Sequence, residues 1–310
     1  MDALTRLIQL ARPQASLELR CQLAGKFALP HESPPTVAFF HLALSGRCAI
    51  ELPDGSLLTL EAGDIVMFPR GGAHWIRDID LRAKRATPPT FSHDGLLKLE
   101  RVGSGEPDID LLCGRFDYAQ GPAALLLRTL PDPLHVSLAD ADGTQRLHAL
   151  VSLMRDEAER RQPGALAIVT ALSHALFAMA LRAYSAKHPN VASVLTLSSD
   201  PRLAPSIQAL LAEPGHAWTI EELGGISAMS RATYARHFRD KSGMTVWEFL
   251  TQVRMTIAGD LLLQTTRNAA DIGMEVGYQS EAAFGKAFQQ YMGITPGRYR
   301  NNRHSGRRDE

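Results

Sequence analysis

The sequence predicts a multidomain protein in which a jelly-roll β-barrel is followed by a helical segment and an all-α domain. Three observations support this fold class: short apolar runs between turn-forming residues in the first half, two long helical patterns in the middle, and a repeat in the last third. A chain of 310 residues is long enough for more than one domain. We place the barrel at 1–137, a helical linker at 138–200, the all-α domain at 201–303 and a basic tail at 304–310.

Strand-like segments fill the region from about Thr36 to Val136. The turn dipeptide Asp54-Gly55 is typical of a tight hairpin. A Pro-, Gly- and Ser-rich segment from about Lys84 to Pro107 predicts a long loop that interrupts the sheet, and a further strand is expected over Asp110–Phe116. The strands predicted before this loop are Val37–Leu44, Ala49–Leu52, Leu57–Leu60 and Asp64–Phe68.

Two helical patterns follow the barrel. Thr144–Arg161 has apolar residues on one face, and Pro163-Gly164 ends it. Ala165–Lys187 is more apolar, but polar side chains interrupt it, so we interpret it as a buried or dimer-packing helix and expect a homodimer. The segment from His188 to Pro205 reads as a linker. The first residues lack a basic head followed by an apolar run, so we expect no signal peptide, no membrane partner and a cytoplasmic location.

A sequence repeat with an offset of 50 residues marks the last third of the chain. Ser230–Phe238 aligns with Ser280–Phe288, and Gly243–Thr245 aligns with Gly293–Thr295. Each copy reads as helix, tight turn and helix, about 219–241 and 268–291. In the first copy, Thr219 and Glu222 are predicted to form a capping box, and the serine at the start of each second helix is predicted to be its N-cap.

The second helix of each copy is suited to a DNA major groove. Aromatic residues four positions apart should face the core, which leaves small and basic side chains on the opposite face. Twelve basic minus six acidic residues between Arg231 and Arg308 give a local charge of +6, although the whole chain has a net charge of zero. A helical bundle with a solvated basic face is the alternative. The candidate DNA-contacting residues are Ser230, Arg231, Ala232, Ala235, Arg236, Arg239, Ser280, Ala282, Ala283, Lys286 and Gln289.

An ordered string of motifs extends through this repeat. It includes Trp218–Leu223, Met229–Arg231, Gly243–Thr245, Val276–Glu281 and Gly293–Gly297. With these motifs, residues 202–303 closely resemble the AraC/XylS-type bacterial transcription regulators. The resemblance implies a two-lobed, seven-helix DNA-binding domain with a central helix at about Val246–Gln264, and promoter DNA and RNA polymerase as partners.

The resemblance also implies roles for single residues. Carried over by position, Ala232, Ala235 and Arg236 would meet base edges in the first lobe, and Ala282, Ala283 and Lys286 would do so in the second. This chain has Gly224 and Gly273 where the family usually has Ala, and each interior glycine would cost roughly 1 kcal/mol of helix stability.

The barrel resembles the cupins through the spacing Gly63-(5)-Pro69-x-Gly71-(2)-His74, with Asp78 where that motif often has Asn. The first cupin motif normally supplies a His-x-His pair and a Glu, but here only His41 and Glu51 remain, because Leu42-Ala43 breaks the pair. His31, His41 and His74 could line one effector pocket that holds a small molecule or a metal. No cofactor is required by the pattern, and a vestigial barrel is the alternative.

Residues 1–136 more specifically resemble the cupin sensor of reactive-chlorine-responsive AraC-type activators. The shared features are Met1–Leu4, Cys21, Leu29–His31, His41, the Gly63–His74 segment and Leu112–Gly114. The resemblance implies that Cys21 and Cys113 respond to oxidant. A neighbouring arginine at each site (Arg20 and Arg115) could lower the thiol pKa. The alternative is that both cysteines are small buried hydrophobic residues, as we expect for Cys48.

Together these features predict a sequence-specific DNA-binding transcription regulator that is not an enzyme. We expect an activator whose cupin domain senses oxidant through cysteines. One alternative is the same regulator with a small-molecule or metal effector in the pocket. Another is a cupin-type metal-dependent oxygenase, which the missing His-x-His pair disfavours.

Overall fold

The computed structural model describes residues 2–11, 13–32, 34, 37–94, 97–117, 130–138, 143–160 and 162–305. Contacts between these residues divide the chain into two compact units. The barrel unit comprises 13–117 and 131–187, and the helical unit comprises residues from His188 onward together with the N-terminal helix α1, Ala3–Ala11.

The barrel unit contains ten strands among the described residues, and seven of them follow one hydrogen-bonded path in the order β10-β5-β3-β9-β1-β8-β7. The other strands join through β2–β6, β3–β4 and β3–β6 pairs. This cupin-type arrangement confirms the predicted barrel. The strands are β1 Gln14–Leu23, β2 Ala28–His31, β3 Val37–Glu51, β4 Leu57–Glu61, β5 Asp64–Phe68, β6 His74–Arg77, β7 Thr90–Asp94, β8 Leu97–Val102, β9 Ile109–Asp117 and β10 Leu134–Ser137.

Two predicted strands are one long strand, β3. Its pairing with β9 shifts register between Ala43 and Ser45, and Gly46 adopts φ +77° next to this irregularity. A Cβ at Gly46 would lie 1.9 Å from the carbonyl oxygen of Asp108, so only glycine fits this close approach. The bend lets β3 pair with β5 at its first half and with β4 and β6 at its second half.

The prediction of a long loop from Lys84 to Pro107 is wrong in part, because this segment contains β7 and β8. Strand β8 lies parallel to β1, with Cys21 opposite Glu100. Leu97, Glu100 and Val102 of β8 are buried while Lys98 and Arg101 are exposed. Because charged residues occupy the exposed positions, the composition of this segment predicts a loop although its alternate residues are buried.

Two helices complete the barrel unit, α2 Gly143–Arg160 and α3 Ala165–Lys187, close to the predicted bounds. Among the described helices, α3 is the one long and apolar enough to cross a membrane by length and composition. It packs on β1 and β10, with the Phe177 ring 4.7 Å from that of Phe116. Leu176, Phe177 and Leu181 are buried, as in the core helix of a globular unit.

The described part of the helical unit contains eight further helices. They are α4 Val194–Ser199, α5 Ala204–Ala212, α6 Ile220–Ile226, α7 Arg231–Ser242, α8 Val246–Gln264, α9 Ala269–Glu275, α10 Glu281–Met292 and α11 Pro296–Ser305. The predicted linker from His188 to Pro205 therefore needs correction. It contains α4, which Ser193 caps by accepting a hydrogen bond from the backbone N–H of Thr196.

Helix α1 belongs to the helical unit, which corrects the predicted barrel domain at 1–137. Its buried face consists of Ala3, Leu7 and Ala11, and it packs against α4 and α5. Helices α2 and α3 belong to the barrel unit, which corrects the predicted separate helical segment at 138–200. They group with the barrel because the apolar residues of α3 pack on its strands.

Candidate nucleic-acid interface and thiol-histidine cluster

The first helix-turn-helix unit consists of α6 and α7. Its predicted capping box is confirmed, since the Thr219 hydroxyl accepts from the Glu222 N–H and the Glu222 carboxylate accepts from the Thr219 N–H. Tyr234 and Phe238 are fully buried, and the Tyr234 hydroxyl donates to the Ser206 Oγ over 3.0 Å. This hydrogen bond satisfies the one polar atom of a ring that burial removes from water.

The second unit repeats this construction in α9 and α10. Ser280 accepts from the N–H of Ala283, as Ser230 accepts from the N–H of Thr233 in the first unit. Phe284 and Phe288 are fully buried. The predicted N-caps and inward-facing aromatic residues are therefore confirmed in both copies.

The turns between the helices differ in length, with three residues before Ser230 and four before Ser280, and in the residue that takes the left-handed conformation. The second copy turns at Gly277, with φ +92°, and the first copy turns at Ala228, with φ +51°. The side chain of Arg254 on α8 lies beside the second turn, and its guanidinium donates to the carbonyl oxygens of Pro214 and His216 in the segment before α6. A Cβ at Gly277 would lie 2.7 Å from the Arg254 Nη2. Arg254 is not among the predicted site residues, although it lies within the predicted central helix.

Close packing explains the two glycines that depart from the usual family alanines. A Cβ on Gly224 would lie 2.8 Å from the carbonyl oxygen of Met229, and one on Gly273 would lie 2.9 Å from Phe284 Cβ. Each glycine lets the first helix of its unit approach the turn or the second helix closely. The expected cost of roughly 1 kcal/mol in helix propensity is therefore offset by this approach.

All eleven predicted DNA-contacting residues are exposed. They form one patch on α7 and one on α10, the second helix of each unit, and α8 connects the two lobes. Arg231 forms an ion pair with Glu221 over 3.1 Å. Backbone N–H groups at the exposed start of each second helix, together with the basic side chains one turn later, are suited to phosphates and base edges. The role of each residue at DNA stays a prediction.

In the barrel unit, a row of polar side chains crosses five neighbouring strands, in the order β8, β1, β9, β3 and β6. The Cys21 thiol donates to the Glu100 carboxylate over 3.5 Å, and the Cys21 and Cys113 sulfurs are 3.5 Å apart. The Cys113 sulfur lies 3.0 Å from His41 Nδ1. The row continues from His41 Nε2 to His74 Nε2 over 2.8 Å. The structure thus brings both predicted thiols into contact with the predicted histidine pocket.

Both thiols are buried, with Cys21 at 0% and Cys113 at 1% exposure. The hydrogen bond with Cys113 and burial together raise the pKa of Cys21 well above its ordinary value. Burial, with the nearby Cys113, raises the pKa of Cys48 to about 12. In this resting arrangement Cys21 and Cys48 are therefore protonated thiols.

The neighbouring arginines do not approach the thiols as expected. Arg20 forms a two-point ion pair with Asp110, and Arg115 pairs with Glu18 and Asp117. Adjacent residues of a strand point to opposite faces, so Arg20 points away from the barrel interior that Cys21 faces. Glu100, which the sequence analysis missed, is the charged residue that contacts Cys21. Glu100 is buried on β8 and belongs to no local motif that would mark it in the sequence.

The three histidines form a compact group. One ring nitrogen from each lies within 4.8 Å of those of the other two. Burial lowers the pKa of His31 to about 4 and that of His74 to about 3, and it lowers the pKa of His41 well below its ordinary value. All three rings are therefore neutral at physiological pH.

The acidic residues of the cupin-like motifs serve other contacts. Glu51 forms an ion pair with Arg77. Asp78 accepts hydrogen bonds from the backbone N–H groups of Arg82 and Ala83, which orders the turn after β6. Neither carboxylate belongs to the histidine group.

Comparison with known proteins matches the N-terminal and C-terminal parts of the chain to two different families. Residues 2–186 match a family described as Cupin, and residues 224–302 match one described as Helix-turn-helix domain. An uncharacterized HTH-type transcriptional regulator of Haemophilus influenzae is 35% identical over 97% of this chain and 99% of its own. The RCS-specific HTH-type transcriptional activator RclR of Escherichia coli K12 is 32% identical over 97% of both chains. The HTH-type transcriptional regulator MtrA of Neisseria gonorrhoeae is 31% identical over 97% of this chain and 98% of its own.

The chain belongs to the AraC family of transcriptional regulators. This AraC-family protein is a DNA-binding transcription regulator with an N-terminal cupin domain. Among solved structures, ToxT from Vibrio cholerae O395 has a TM-score of 0.37 at 10% identity and covers 93% of this chain and 97% of its own. The DNA-binding domain of AdpA, solved in complex with a target DNA, has a TM-score of 0.34 at 27% identity and covers 36% of this chain and 100% of its own.

Proposed function

We propose that this AraC-family regulator is a cytoplasmic activator whose cupin domain senses a two-electron oxidant through Cys21 and Cys113. The observation that supports it most is the 3.5 Å distance between the two sulfurs inside the barrel. Further support is that the Escherichia coli relative is named as an RCS-specific activator. We assign no catalytic reaction to the barrel, since the relatives are named as regulators.

The proposed chemistry uses both thiols. The Cys113 thiolate attacks hypochlorous acid, which gives the sulfenic acid and chloride, so that sulfur loses two electrons and chlorine gains them. The Cys21 thiol then attacks the sulfenic sulfur, which forms the disulfide and releases water. A buried thiol reacts only when the oxidant enters the barrel or a strand opens. This selects for small, uncharged oxidants such as hypochlorous acid or hydrogen peroxide.

A disulfide between these residues would shift the strands. In the pairing of β1 with β9, Leu111 lies opposite Cys21 and Leu19 lies opposite Cys113, so the two cysteines are diagonal neighbours. Diagonal positions are about 7–8 Å apart, whereas disulfides span about 4.4–6.8 Å between Cα atoms. Closing the bond must therefore draw β1 and β9 together. Strand β1 also packs against α3, so the movement reaches the helices of the barrel unit.

The same helices favour a homodimer. Leu153 on α2 and Leu166 and Ile168 on α3 are exposed, at 45%, 66% and 40%. Large apolar side chains grouped on neighbouring helices are typical of an interface between subunits. An oxidation-driven movement of α3 would then change how two DNA-binding domains engage a promoter and RNA polymerase.

The experiment that tests the sensing step is disulfide mapping on the purified full-length chain. Treatment with one equivalent of hypochlorite should give a peptide that links Cys21 to Cys113, with Cys48 still alkylatable. The Cys48→Ser variant is the matched control, because it removes a buried thiol of the same core and should leave the linkage intact. Oxidation that yields only a Cys48 linkage, or no intrachain linkage, would contradict the proposal.

A further inference from the structure

We propose that His31, His41 and His74 form a binding site for a zinc-type first-row cation, and that this ion controls the hydrogen bond that His41 makes to Cys113. The metal site stands by itself. Its consequence for the thiol rests on the proposed oxidant-sensing function.

The first argument is the donor set. His41 Nε2 and His74 Nε2 face each other at 2.8 Å, and a pair of neutral rings shares one proton at most between these two atoms. His31 Nε2 is buried and has no hydrogen-bond partner among the described residues. A buried polar atom without a partner is costly, and a cation at this point would use the lone pairs of all three rings.

The second argument is distance. Three nitrogens bound to one tetrahedral zinc ion lie about 3.3 Å apart, from Zn–N distances of about 2.0–2.1 Å. In the structure the three ring nitrogens lie within 4.8 Å of one another. The His31 and His74 rings are parallel, with centroids 5.3 Å apart, so His31 must turn about its soft χ2 torsion for both ring planes to contain the ion. His31 is only partly buried at the edge of the pocket, which leaves room for this rotation.

The third argument is the type of ligand. The group offers neutral imidazoles, and the nearby Glu51 carboxylate is engaged by Arg77. Imidazole nitrogens favour zinc, copper, iron and nickel over magnesium and calcium. The His74 ring stacks on Phe68 at 3.9 Å, which orients a ligand as the packing around metal sites commonly does. The set also differs from the usual cupin metal site, because His31 on β2 takes the place of the missing His-x-His partner and no Glu takes part.

The His41 ring connects the proposed metal site to the Cys113 thiol, because its Nε2 faces the site and its Nδ1 faces the sulfur. When Nε2 of His41 binds a cation, its proton must be on Nδ1, and Nδ1 then donates to the Cys113 sulfur 3.0 Å away. Without the ion, His41 Nε2–H can donate to His74, and Nδ1 then accepts from the Cys113 thiol. The bound ion therefore makes Cys113 a hydrogen-bond acceptor, the arrangement that favours attack on an oxidant.

Zinc titration of the chelator-treated full-length protein against a chromophoric competitor tests the site. We expect one zinc ion per chain, and His31→Gln should weaken the affinity at least about 100-fold. His135→Gln is the matched control, because His135 lies in the same unit but pairs with Asp64, and it should bind zinc as the unmodified chain does. Equal affinity in His31→Gln, or binding well below one equivalent, would overturn the site.

Two further measurements keep the result interpretable. Ring-nitrogen NMR of the unmodified chain should show zinc-dependent shifts at three histidines and none at His135, which covers the case in which His31→Gln does not fold. Cobalt(II) substitution should give a tetrahedral visible spectrum without an intense sulfur-to-cobalt charge-transfer band. A strong band of that kind would place a thiolate on the metal and overturn the arrangement through His41 Nδ1.

The coupling to Cys113 is tested by the rate of disulfide formation with limiting hydrogen peroxide. The zinc-loaded protein should form the Cys21–Cys113 disulfide about tenfold faster than the metal-free protein. Equal rates would overturn the coupling but leave the proposed sensing function in place. A protein that binds one zinc ion yet forms no disulfide in either state would overturn the sensing function and leave the metal site in place.

Discussion

The two turns of the duplicated DNA-binding units give a quantitative prediction, because each contains one residue with left-handed backbone, an alanine in the first turn and a glycine in the second. Ala228, the second residue after α6, adopts a left-handed φ of +51°, and Gly277, the second residue after α9, adopts φ +92°. Left-handed backbone costs a residue with a Cβ about 1–2 kcal/mol, whereas glycine adopts it freely. Replacing alanine by glycine costs about 0.4–1 kcal/mol through the greater freedom of the unfolded chain. Ala228→Gly should therefore stabilise the helical unit by about 1 kcal/mol, or roughly 4 °C in Tm.

The reverse exchange in the second copy should be more harmful. Gly277→Ala introduces the same backbone strain, and its Cβ would also lie 2.7 Å from the carbonyl oxygen of Gly215 and from Arg254 Nη2. Overpacking of this kind adds about 1–3 kcal/mol, so we expect a net loss of about 2–3 kcal/mol.

Calorimetry of the full-length chain measures both effects, with the transition of the helical unit identified as the one that operator DNA shifts upward. Ala228→Gly that leaves this transition unchanged or lowers it would refute the reasoning. A Gly277→Ala variant whose transition temperature falls by less than about 1 °C would also refute it, because the closely packed turn would then have relaxed around the added Cβ.

Three other predictions follow from the structure. Arg236→Ala with Lys286→Ala should abolish operator footprinting, and each single change that removes a phosphate contact should reduce the salt slope of binding by about 1, as fluorescence anisotropy at several salt concentrations will show. Tyr234→Phe should cost about 1 kcal/mol in denaturant unfolding, because the Ser206 hydroxyl loses a buried hydrogen-bond donor. Burial raises the pKa of Asp78, but its hydrogen bonds from backbone N–H groups outweigh this and hold the pKa below its ordinary value of 3.8. The ionised Asp78 therefore stabilises the folded state, and this stabilisation is lost as pH falls below about 4 and the carboxylate is protonated. Between pH 5 and pH 3, the Tm of Asp78→Asn should fall less than the Tm of the unmodified chain.

The sequence predicted the helical unit well because its signals are local. Caps, turns and apolar periodicity fall within a few residues of each other, so the bounds of α8 and the N-cap roles of Ser230 and Ser280 could be read directly. The duplication provided a second, independent copy of each signal. The contribution of Arg254 could not be found in this way, because its partners Pro214 and His216 lie about 40 residues earlier in the chain.

The barrel was harder to predict because its pairings are distant in sequence. Strand β8 was missed since its buried positions alternate with charged residues inside a polar segment, and parallel pairing with β1 has no local mark. The thiols and histidines were identified one by one, but their order across the strands depends on the register of β1, β9 and β3. That register places Cys113 opposite His41, a contact across 72 positions of the chain.

Oxidant-dependent expression from an operator-driven reporter tests the central claim most directly. Cells with the unmodified chain or with Cys48→Ser should induce the reporter after a hypochlorite pulse. Cells with Cys21→Ser or Cys113→Ser should not induce it, while their proteins still footprint the operator. Full induction in both Cys21→Ser and Cys113→Ser would contradict the account and place the sensing step elsewhere in the molecule.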